Sequence, residues 1–304
     1  MHTQWWAAPV LGLFLGLLGV CPSVFAQAAS QDTVIARFRD ARALAADPLG
    51  RVYVADAGRD VVRVLDRDGD EQGSLGGAGT RAGEFDSPTD VDPTNGQTVW
   101  VADAGNGRVQ HFSSEGLYLE AMPVGPSFLE GGDQRFLDDG RDGAAVQGDG
   151  RPIAVASTSG DVVFAIDGRN DRLLKWDEQR RLGPLIGSVG RGDAPQRPVA
   201  LALDGTRRLY VADGAEEGRV LAYDLFGTFL ERLDTPPLSA LQALTMHRGR
   251  LWIVCARRVF VWDPDTRTVT ERPVDLPARL VDAARRGDDL FLLTPTRLYR
   301  RSAW

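Results

Sequence analysis

The chain has 304 residues, of which 43% are hydrophobic and 25% are charged, the composition of an ordinary globular protein. This composition excludes disordered, collagen-like and disulfide-scaffold chains. The formal charge of -7 at pH 7 argues against nucleic acid or an anionic membrane surface as the main partner. The 34 glycines and 17 prolines indicate many turns, and therefore many short strands.

The first 28 residues are typical of a secretory signal peptide. Residues 8–20 form an apolar block that is short for a bilayer span, and Ala26 and Ala28 offer the small residues that signal peptidase needs. We therefore predict an exported protein, either periplasmic or extracellular. Cys21 follows a Leu-Gly-Val sequence that resembles a bacterial lipobox, so an alternative is a lipoprotein anchored at Cys21. Once the signal is removed, Cys255 is the one remaining thiol, and we expect it to be buried and inert.

Six segments of the remaining chain align without gaps, and each ends in a short apolar strand that carries an aromatic residue. These segments are 41–56, 88–103, 152–167, 198–213, 240–255 and 279–294. The first four end in aspartate, whereas the last two end in Cys255 and Thr294, and Asp282 stands where the other five have an apolar or small residue. Successive ends are 47, 64, 46, 42 and 39 residues apart, the length of a four-stranded unit. Because only neighbouring copies can cover such a sheet, we predict an all-β, six-bladed β-propeller of four-stranded antiparallel blades.

A glycine-rich run precedes the second segment. It has the pattern G-x-x-G-x-x-x-G-x-F-x-x-P, formed by Gly76, Gly79, Gly83, Phe85 and Pro88. The stretch 101–109 follows, with the order strand, loop and strand. In these features the chain resembles the NHL-repeat family, most closely over 43–120 and least after residue 240. The resemblance implies a propeller built from such repeats.

The two ends of the chain are expected to meet in one blade. The sixth unit has its third strand near 297–301, and too few residues follow for a fourth strand. Residues 33–38 are strand-like and belong to no unit of their own. We predict that they supply the missing outer strand, which closes the ring and removes an exposed sheet edge. Residues 32–304 then form a single domain.

One face of the disc is the candidate functional surface. Antiparallel pairing puts the loop after each second strand on the same face as the start of each first strand, and we call this the loop face. An acidic insertion at about 122–150 opens on it, and long insertions often carry function. The alternative is a solvated loop without a role. The predicted ligand-binding residues are Arg59, Asp103, Asn106, Arg108, Phe128, Arg135, Phe136, Asp167, Arg169, Asn170 and Asp213.

The repeated aspartates within this set favour a structural role. A catalytic carboxylate is needed once, whereas a structural one is needed in every blade. An aspartate at a strand end can accept hydrogen bonds from loop amides and pair with a following arginine. The expected pairs are Asp103 with Arg108, Asp167 with Arg172, and Asp213 with Arg219.

Metal sites receive little support from the sequence. The stretch 66–70 resembles the start of a calcium loop but lacks its later ligands. A zinc site of three histidines, as in peptide-amidating lyases, is excluded because the mature chain has only His111 and His247. We therefore expect no cofactor. As an alternative, a divalent cation could bind at the channel mouth to some of Asp103, Asn106, Asp167 and Asn170, as in gluconolactonase-like propellers.

The preferred interpretation is a non-enzymatic binding module of the cell envelope. Its partner would be a protein, a peptide or a glycan, bound on the loop face around the central channel. We expect no nucleic acid partner, no transmembrane span and a monomeric state. The alternative is a metal-dependent hydrolase or lyase of the gluconolactonase-like type.

Overall fold

The computed structural model describes residues 32–93, 95–125, 148–186, 194–205 and 207–302. The signal peptide and Cys21 lie outside these residues. The described residues form 23 strands in six antiparallel sheets, and they contain no helix long and apolar enough to cross a membrane. The predicted six-bladed β-propeller is therefore confirmed.

The strands follow one another from the central channel outward in each blade. Blade one contains β2 (Ala41–Ala46), β3 (Val52–Asp56), β4 (Val61–Leu65) and β5 (Glu71–Gly76). Blade two contains β6 (Pro88–Asp92), β7 (Thr98–Asp103), β8 (Arg108–Ser113) and β9 (Tyr118–Pro123). Blade three contains β10 (Pro152–Ser157), β11 (Val163–Asp167) and β12 (Arg172–Trp176). Blade four contains β13 (Pro198–Asp204), β14 (Arg208–Asp213), β15 (Arg219–Asp224) and β16 (Phe229–Arg232). Blade five contains β17 (Leu241–His247), β18 (Arg250–Cys255), β19 (Arg258–Asp263) and β20 (Thr268–Pro273). Blade six contains β21 (Asp282–Arg286), β22 (Asp289–Leu293), β23 (Arg297–Ser302) and, as its outer strand, β1 (Thr33–Arg37).

Blade three departs from the predicted four strands. Its sheet has three strands, and the outer position holds two isolated bridges, from Leu182 to Trp176 and from Ile186 to Leu173. Pro184 lies between the bridged residues and has no backbone N–H to donate. Position 184 therefore cannot donate to the ladder, and the segment pairs through two isolated bridges and not through a regular fourth strand.

The ring closes as the sequence predicts. Strand β1 pairs antiparallel with β23, with Val34 opposite Tyr299, and becomes the outer strand of blade six. The side chain of Arg301 donates two hydrogen bonds, of 2.6 and 2.7 Å, to the carboxylate of Asp32. Phe38, just beyond β1, is buried in the cluster that joins blade six to blade one.

The gapless alignment of the last two repeats is wrong by one residue. Leu244 lies opposite Ile253, and Ala283 lies opposite Leu292, so each occupies the apolar place that Leu44 holds opposite Val54. The cause in blade five is its hairpin turn. Arg248 and Gly249 alone connect β17 to β18, and their φ angles of 49° and 74° fit a tight two-residue turn. Asp282 is consequently not at the apolar place, but one position before it.

The core consists of six separate clusters, one at each interface between neighbouring blades. An aromatic side chain from each second strand is buried in these interfaces, namely Tyr53, Trp100, Phe164, Tyr210, Trp252 and Phe291. Fully burying one large apolar side chain contributes roughly 1.5 to 3 kcal/mol. No blade can keep this contribution without its neighbours, so the closed ring is the stable unit.

Candidate functional site

The strand-end aspartates on the loop face are buried and fully engaged. In blade two, Asp103 accepts hydrogen bonds from the backbone N–H of Asp86 at 2.8 Å and from the side chains of Asn106 and Gln110 at 2.8 and 2.9 Å. Arg108 donates to the same carboxylate at 2.9 Å, and both side chains of this ion pair are 0% exposed. Burial raises the pKa of Asp103, and these hydrogen bonds oppose the rise.

The glycine-rich run of the second repeat wraps around this ion pair. Arg108 donates hydrogen bonds to the carbonyl oxygens of Thr80, Arg81 and Glu84. Gly76 has a φ of 82°, and a Cβ atom there would lie 2.1 Å from the ring of Phe85. The run that resembles an NHL repeat therefore packs over the buried ion pair of Asp103 and Arg108.

The equivalent aspartates of other blades make the same kind of contact. Each accepts hydrogen bonds from the backbone N–H groups of the segment that leads into its own first strand, as seen for Asp56, Asp167 and Asp213. Burial works against ionisation of Asp213, but the N–H groups of Gln196 and Arg197 and the side chain of Arg219 outweigh it and lower its pKa. These aspartates tie each blade to the chain segment that precedes it.

Two of the three expected ion pairs are present, and the prediction of the third is wrong. Asp103 pairs with Arg108, and Asp213 pairs with Arg219 at 2.8 Å. Asp167 instead accepts from the side-chain amide of Asn170 at 2.6 Å, and the described residues show no ion pair between Asp167 and Arg172. The shorter amide fills the loop and satisfies the carboxylate without an arginine.

The predicted ligand-binding residues divide into three groups in the structure. Those with buried side chains are Asp103, Asn106, Arg108, Asp167 and Asp213. Arg59 and Arg169 are exposed, and Asn170 is half-buried. Phe128, Arg135 and Phe136 lie outside the described residues. Strand β9 runs to Pro123, and Val124 is buried, so the insertion begins later than the predicted residue 122.

Exposed arginines lie together on the loop face, and the sequence predicted only some of them as binding residues. Besides Arg59 and Arg169, they are Arg39, Arg151, Arg197, Arg257 and Arg279. Arg59 pairs with Asp56 at 2.6 Å. The other six have no carboxylate partner among the described residues, although acids such as Asp86 and Glu217 are also exposed on this face. The missed signal was their recurrence just before a first strand or just after a second strand.

The central channel carries a second group of polar side chains. The inner strands surround a cavity of about 450 Å³. Equivalent positions on the six first strands form one ring in its wall, namely Ala43, Asp90, Ala154, Ala200, Ala243 and Asp282. Four small side chains and two carboxylates therefore set the width and the charge of the channel at this level.

These channel carboxylates connect neighbouring blades. Asp90 accepts from the backbone N–H of Val155, and Asp282 accepts from that of Leu44, both at 2.8 Å. Burial raises the pKa of Asp282 to about 7. Burial also raises the pKa of Asp90 well above its usual range, and the charge of Asp282 adds to this effect. Both carboxyl groups therefore keep their proton to a higher pH than an exposed aspartate does.

The thiol and the two histidines occupy packed positions. Burial raises the pKa of Cys255 to about 11, and the side chain is 1% exposed, so the expectation of a buried thiol is confirmed. His111 stacks on Trp100 with ring centres 3.8 Å apart, and its Nδ1 lies 2.9 Å from a carboxylate oxygen of Glu120. His247 ends β17, on the opposite side of the disc from the loop face.

Comparison with known proteins gives structural neighbours only. No family model and no curated protein matches the chain. A streptogramin B lyase is 13% identical with a TM-score of 0.58, and the match covers 90% of this chain and 96% of the other. A virginiamycin B lyase from Staphylococcus aureus is 9% identical with a TM-score of 0.59, covering 90% and 98%. A gluconolactonase from Xanthomonas campestris is 13% identical with a TM-score of 0.61, covering 90% and 89%. At these identities the likeness shows the fold alone, a six-bladed β-propeller.

Proposed function

We propose that the protein is an exported, non-enzymatic binding module of the cell envelope that holds a protein, peptide or glycan on its loop face. The observation that carries this proposal is the set of exposed arginines around the channel mouth. Six of them have no carboxylate partner among the described residues. Four of these six lie in short loops whose backbone N–H groups donate to the buried strand-end aspartates, namely Arg39, Arg151, Arg169 and Arg197.

Arginine suits a recognition surface of this kind. Its planar guanidinium group offers several N–H donors in a fixed arrangement, so it binds carboxylates, phosphates and carbonyl groups with defined geometry. Arg257 and Arg279 already donate to the carbonyl of Leu276 and to the amide oxygen of Gln242, which holds both side chains in place. Binding then costs less side-chain entropy than it would with free arginines.

The second candidate function is a metal-dependent hydrolase or lyase of the gluconolactonase-like type. It is favoured by the carboxyl groups of Asp90, Asp92 and Asp282, which line one cavity in the channel. Structural neighbours named as a streptogramin B lyase and a gluconolactonase share the fold. Against it stands the engagement of all three groups in hydrogen bonds with the backbone of the next blade.

A charge-reversal experiment tests the preferred function. Arg39, Arg197 and Arg279 are changed to Glu together, and binding of the purified protein to separated envelope fractions (peptidoglycan, polysaccharide and membrane protein) is measured. We expect the variant to lose binding to the fraction that the wild type captures. The matched control changes Arg67, Arg181 and Arg207, which are exposed on the opposite face, and should bind as the wild type does.

Two results would contradict the proposal. Equal loss of binding in both triple variants would show that only net charge matters. Turnover of a lactone by the wild type, which stops when Asp90 is changed to Asn but not when the three loop-face arginines are reversed, would favour the enzyme.

A further inference from the structure

A basic cleft lies on the face of the disc opposite the loop face, where blade five meets blade six. It has a volume of about 520 Å³. Its wall consists of the hairpin turn of blade five, the adjoining parts of β18 to β20, and Arg285 from β21. The apolar interface between these blades ends at this point, so the cleft opens from the interface to solvent.

The charge of the cleft is opposite in sign to that of the whole chain. Four arginines line it, namely Arg248, Arg250, Arg272 and Arg285, against two aspartates, Asp263 and Asp265. Arg250 pairs with Asp263 at 2.9 Å. The cleft therefore keeps an excess of positive charge, whereas the chain as a whole is acidic.

The other three arginines of the cleft have N–H groups that no described residue accepts. Neither Arg248 nor Arg272 has a side-chain hydrogen bond or an ion pair with any described residue. Arg285 makes only a 3.4 Å contact with the carbonyl of Gly287, and its guanidinium carbon lies 5.9 Å from the ring centre of Trp252. Three guanidinium groups thus face one cavity without a carboxylate of their own.

His247 lies in the wall of the same cleft, next to Arg248. Its Nε2 atom is buried and has no hydrogen-bond partner among the described residues. Burial lowers the pKa of His247, and the charges of Arg248 and Arg285 lower it further. The ring is therefore neutral at neutral pH, and it leaves the positive charge of the cleft to the arginines.

We propose that this cleft binds a small organic anion through its carboxylate or phosphate group, held by Arg248, Arg272 and Arg285. The floor of the cleft includes Trp252 and Val261, and the hydroxyl of Thr270 is exposed at its edge. The floor accommodates an apolar or ring-shaped ligand body, such as a sugar ring, and the hydroxyl offers it a hydrogen bond. The site lies on the opposite face from the proposed partner surface and is independent of it.

Isothermal titration calorimetry on the purified protein tests this site. The probes are inorganic phosphate, a hexose phosphate, a uronic acid and the neutral hexose. We expect saturable binding of the anionic probes, weakened by added sodium chloride, and no binding of the neutral hexose. Changing Arg248 and Arg272 together to Gln should weaken binding by about tenfold or more, since each removes a charged hydrogen-bond donor. A response to phosphate alone or to uronic acid alone identifies which anion the site takes.

Arg207→Gln serves as the control, because Arg207 is an exposed turn residue of the same face whose side chain has no hydrogen bond or ion pair with any described residue. It should leave every affinity unchanged. Thermal unfolding of all variants checks that they are folded, which we expect because Arg248 and Arg272 stabilise nothing in the described structure. The proposal is overturned if no anionic probe binds saturably, or if the double variant binds as tightly as the wild type.

Discussion

Asp213 and Asp282 are two buried carboxylates whose surroundings shift their pKa in opposite directions. Asp213 accepts hydrogen bonds from backbone N–H groups and from Arg219, and these lower its pKa. Among the described residues, Asp282 accepts hydrogen bonds only from the N–H groups of Leu44 and Ala283, and burial raises its pKa to about 7. Burial dominates at Asp282, whereas the several donors to Asp213, Arg219 among them, outweigh its burial, so the two residues should respond oppositely to pH.

Asp282→Asn tests this at the residue level. A raised pKa means that the folded state holds the proton more tightly than the unfolded chain does. The unfolding free energy of the wild type, relative to the variant, should therefore fall as pH rises from about 4 to about 7, by on the order of 4 kcal/mol at most. Urea unfolding at a series of pH values measures this difference.

Asp213→Asn is the matched comparison. Its lowered pKa gives a contribution to stability that is present above the unfolded value near 3.8 and is lost as the solution becomes more acidic. The difference between wild type and this variant should shrink on acidification. A parallel pH dependence of the two variants would show that the donors around Asp213 do not outweigh its burial.

The candidate site could be predicted from the sequence only where the repeat is regular. The pairing of Asp103 with Arg108 follows from their spacing at a strand end, and the structure confirms it. The role of Asp282 in the channel did not follow, because the one-residue shorter turn of its repeat placed it at an apolar position in the alignment. The exposed arginines recur beside the first and second strands, but at offsets that differ between blades, so a gapless alignment does not bring them into register.

At the level of elements, the pairing of β1 with β23 joins the ends of the chain. Asp32 and Arg301 form a two-fold hydrogen-bonded ion pair in which the arginine side chain is 6% exposed. On the same strand, Arg300 pairs with Asp68 at 2.5 Å, but the side chain of this aspartate is 60% exposed. The two ion pairs therefore differ both in burial and in the number of hydrogen bonds between the charged groups.

Asp32→Asn and Asp68→Asn should differ in their effect on stability. The first leaves a buried guanidinium group without its charged partner and should lower the unfolding free energy by about 2 kcal/mol. The second breaks a solvent-exposed pair and should cost less than about 0.5 kcal/mol. Urea unfolding of both variants measures these values. Equal losses would mean that β1 does not hold the ring closed through this pair.

Strand positions were predictable where the turn chemistry is common to all blades. The strand-like stretch 33–38 matches β1 closely because its alternation fits an outer strand. The outer part of blade three was not predicted, since a single proline at position 184 interrupts an otherwise apolar segment. Local exceptions of this kind leave the number of blades unchanged, because the number depends on the six buried inner hairpins.

At the scale of the whole molecule, the two described ends of the insertion between blades two and three meet on the ring. The backbone N–H of Gly150 donates to the carbonyl of Val124 at 2.7 Å, and that of Gly148 donates to Asn106 at 3.2 Å. The described ends of the insertion therefore lie side by side and belong to the blade. Only residues 126–147 are free to be removed without touching these contacts.

Replacing residues 126–147 by a short glycine-serine linker should leave thermal unfolding unchanged, because no described strand or interface is altered. If Phe128, Arg135 and Phe136 are anchors, as the sequence suggests, the same variant should lose binding to the envelope fraction that the wild type captures. Substituting the three anchors by Ala in the full-length insertion is the control and should give the same loss. Undiminished binding by both variants would show that the arginines act without the insertion.

The closure of the ring also sets an order on folding. Asp32 and Arg301 are 269 residues apart in the sequence, so their contact is among the most distant that the chain can make. Such a contact carries a high loop-closure cost and forms slowly. Blades one to five can assemble from neighbouring segments, but the first strand stays unpaired until the last one has been synthesised. A chain that stops before β23 leaves β1 without its partner strand and keeps an exposed sheet edge, which favours aggregation.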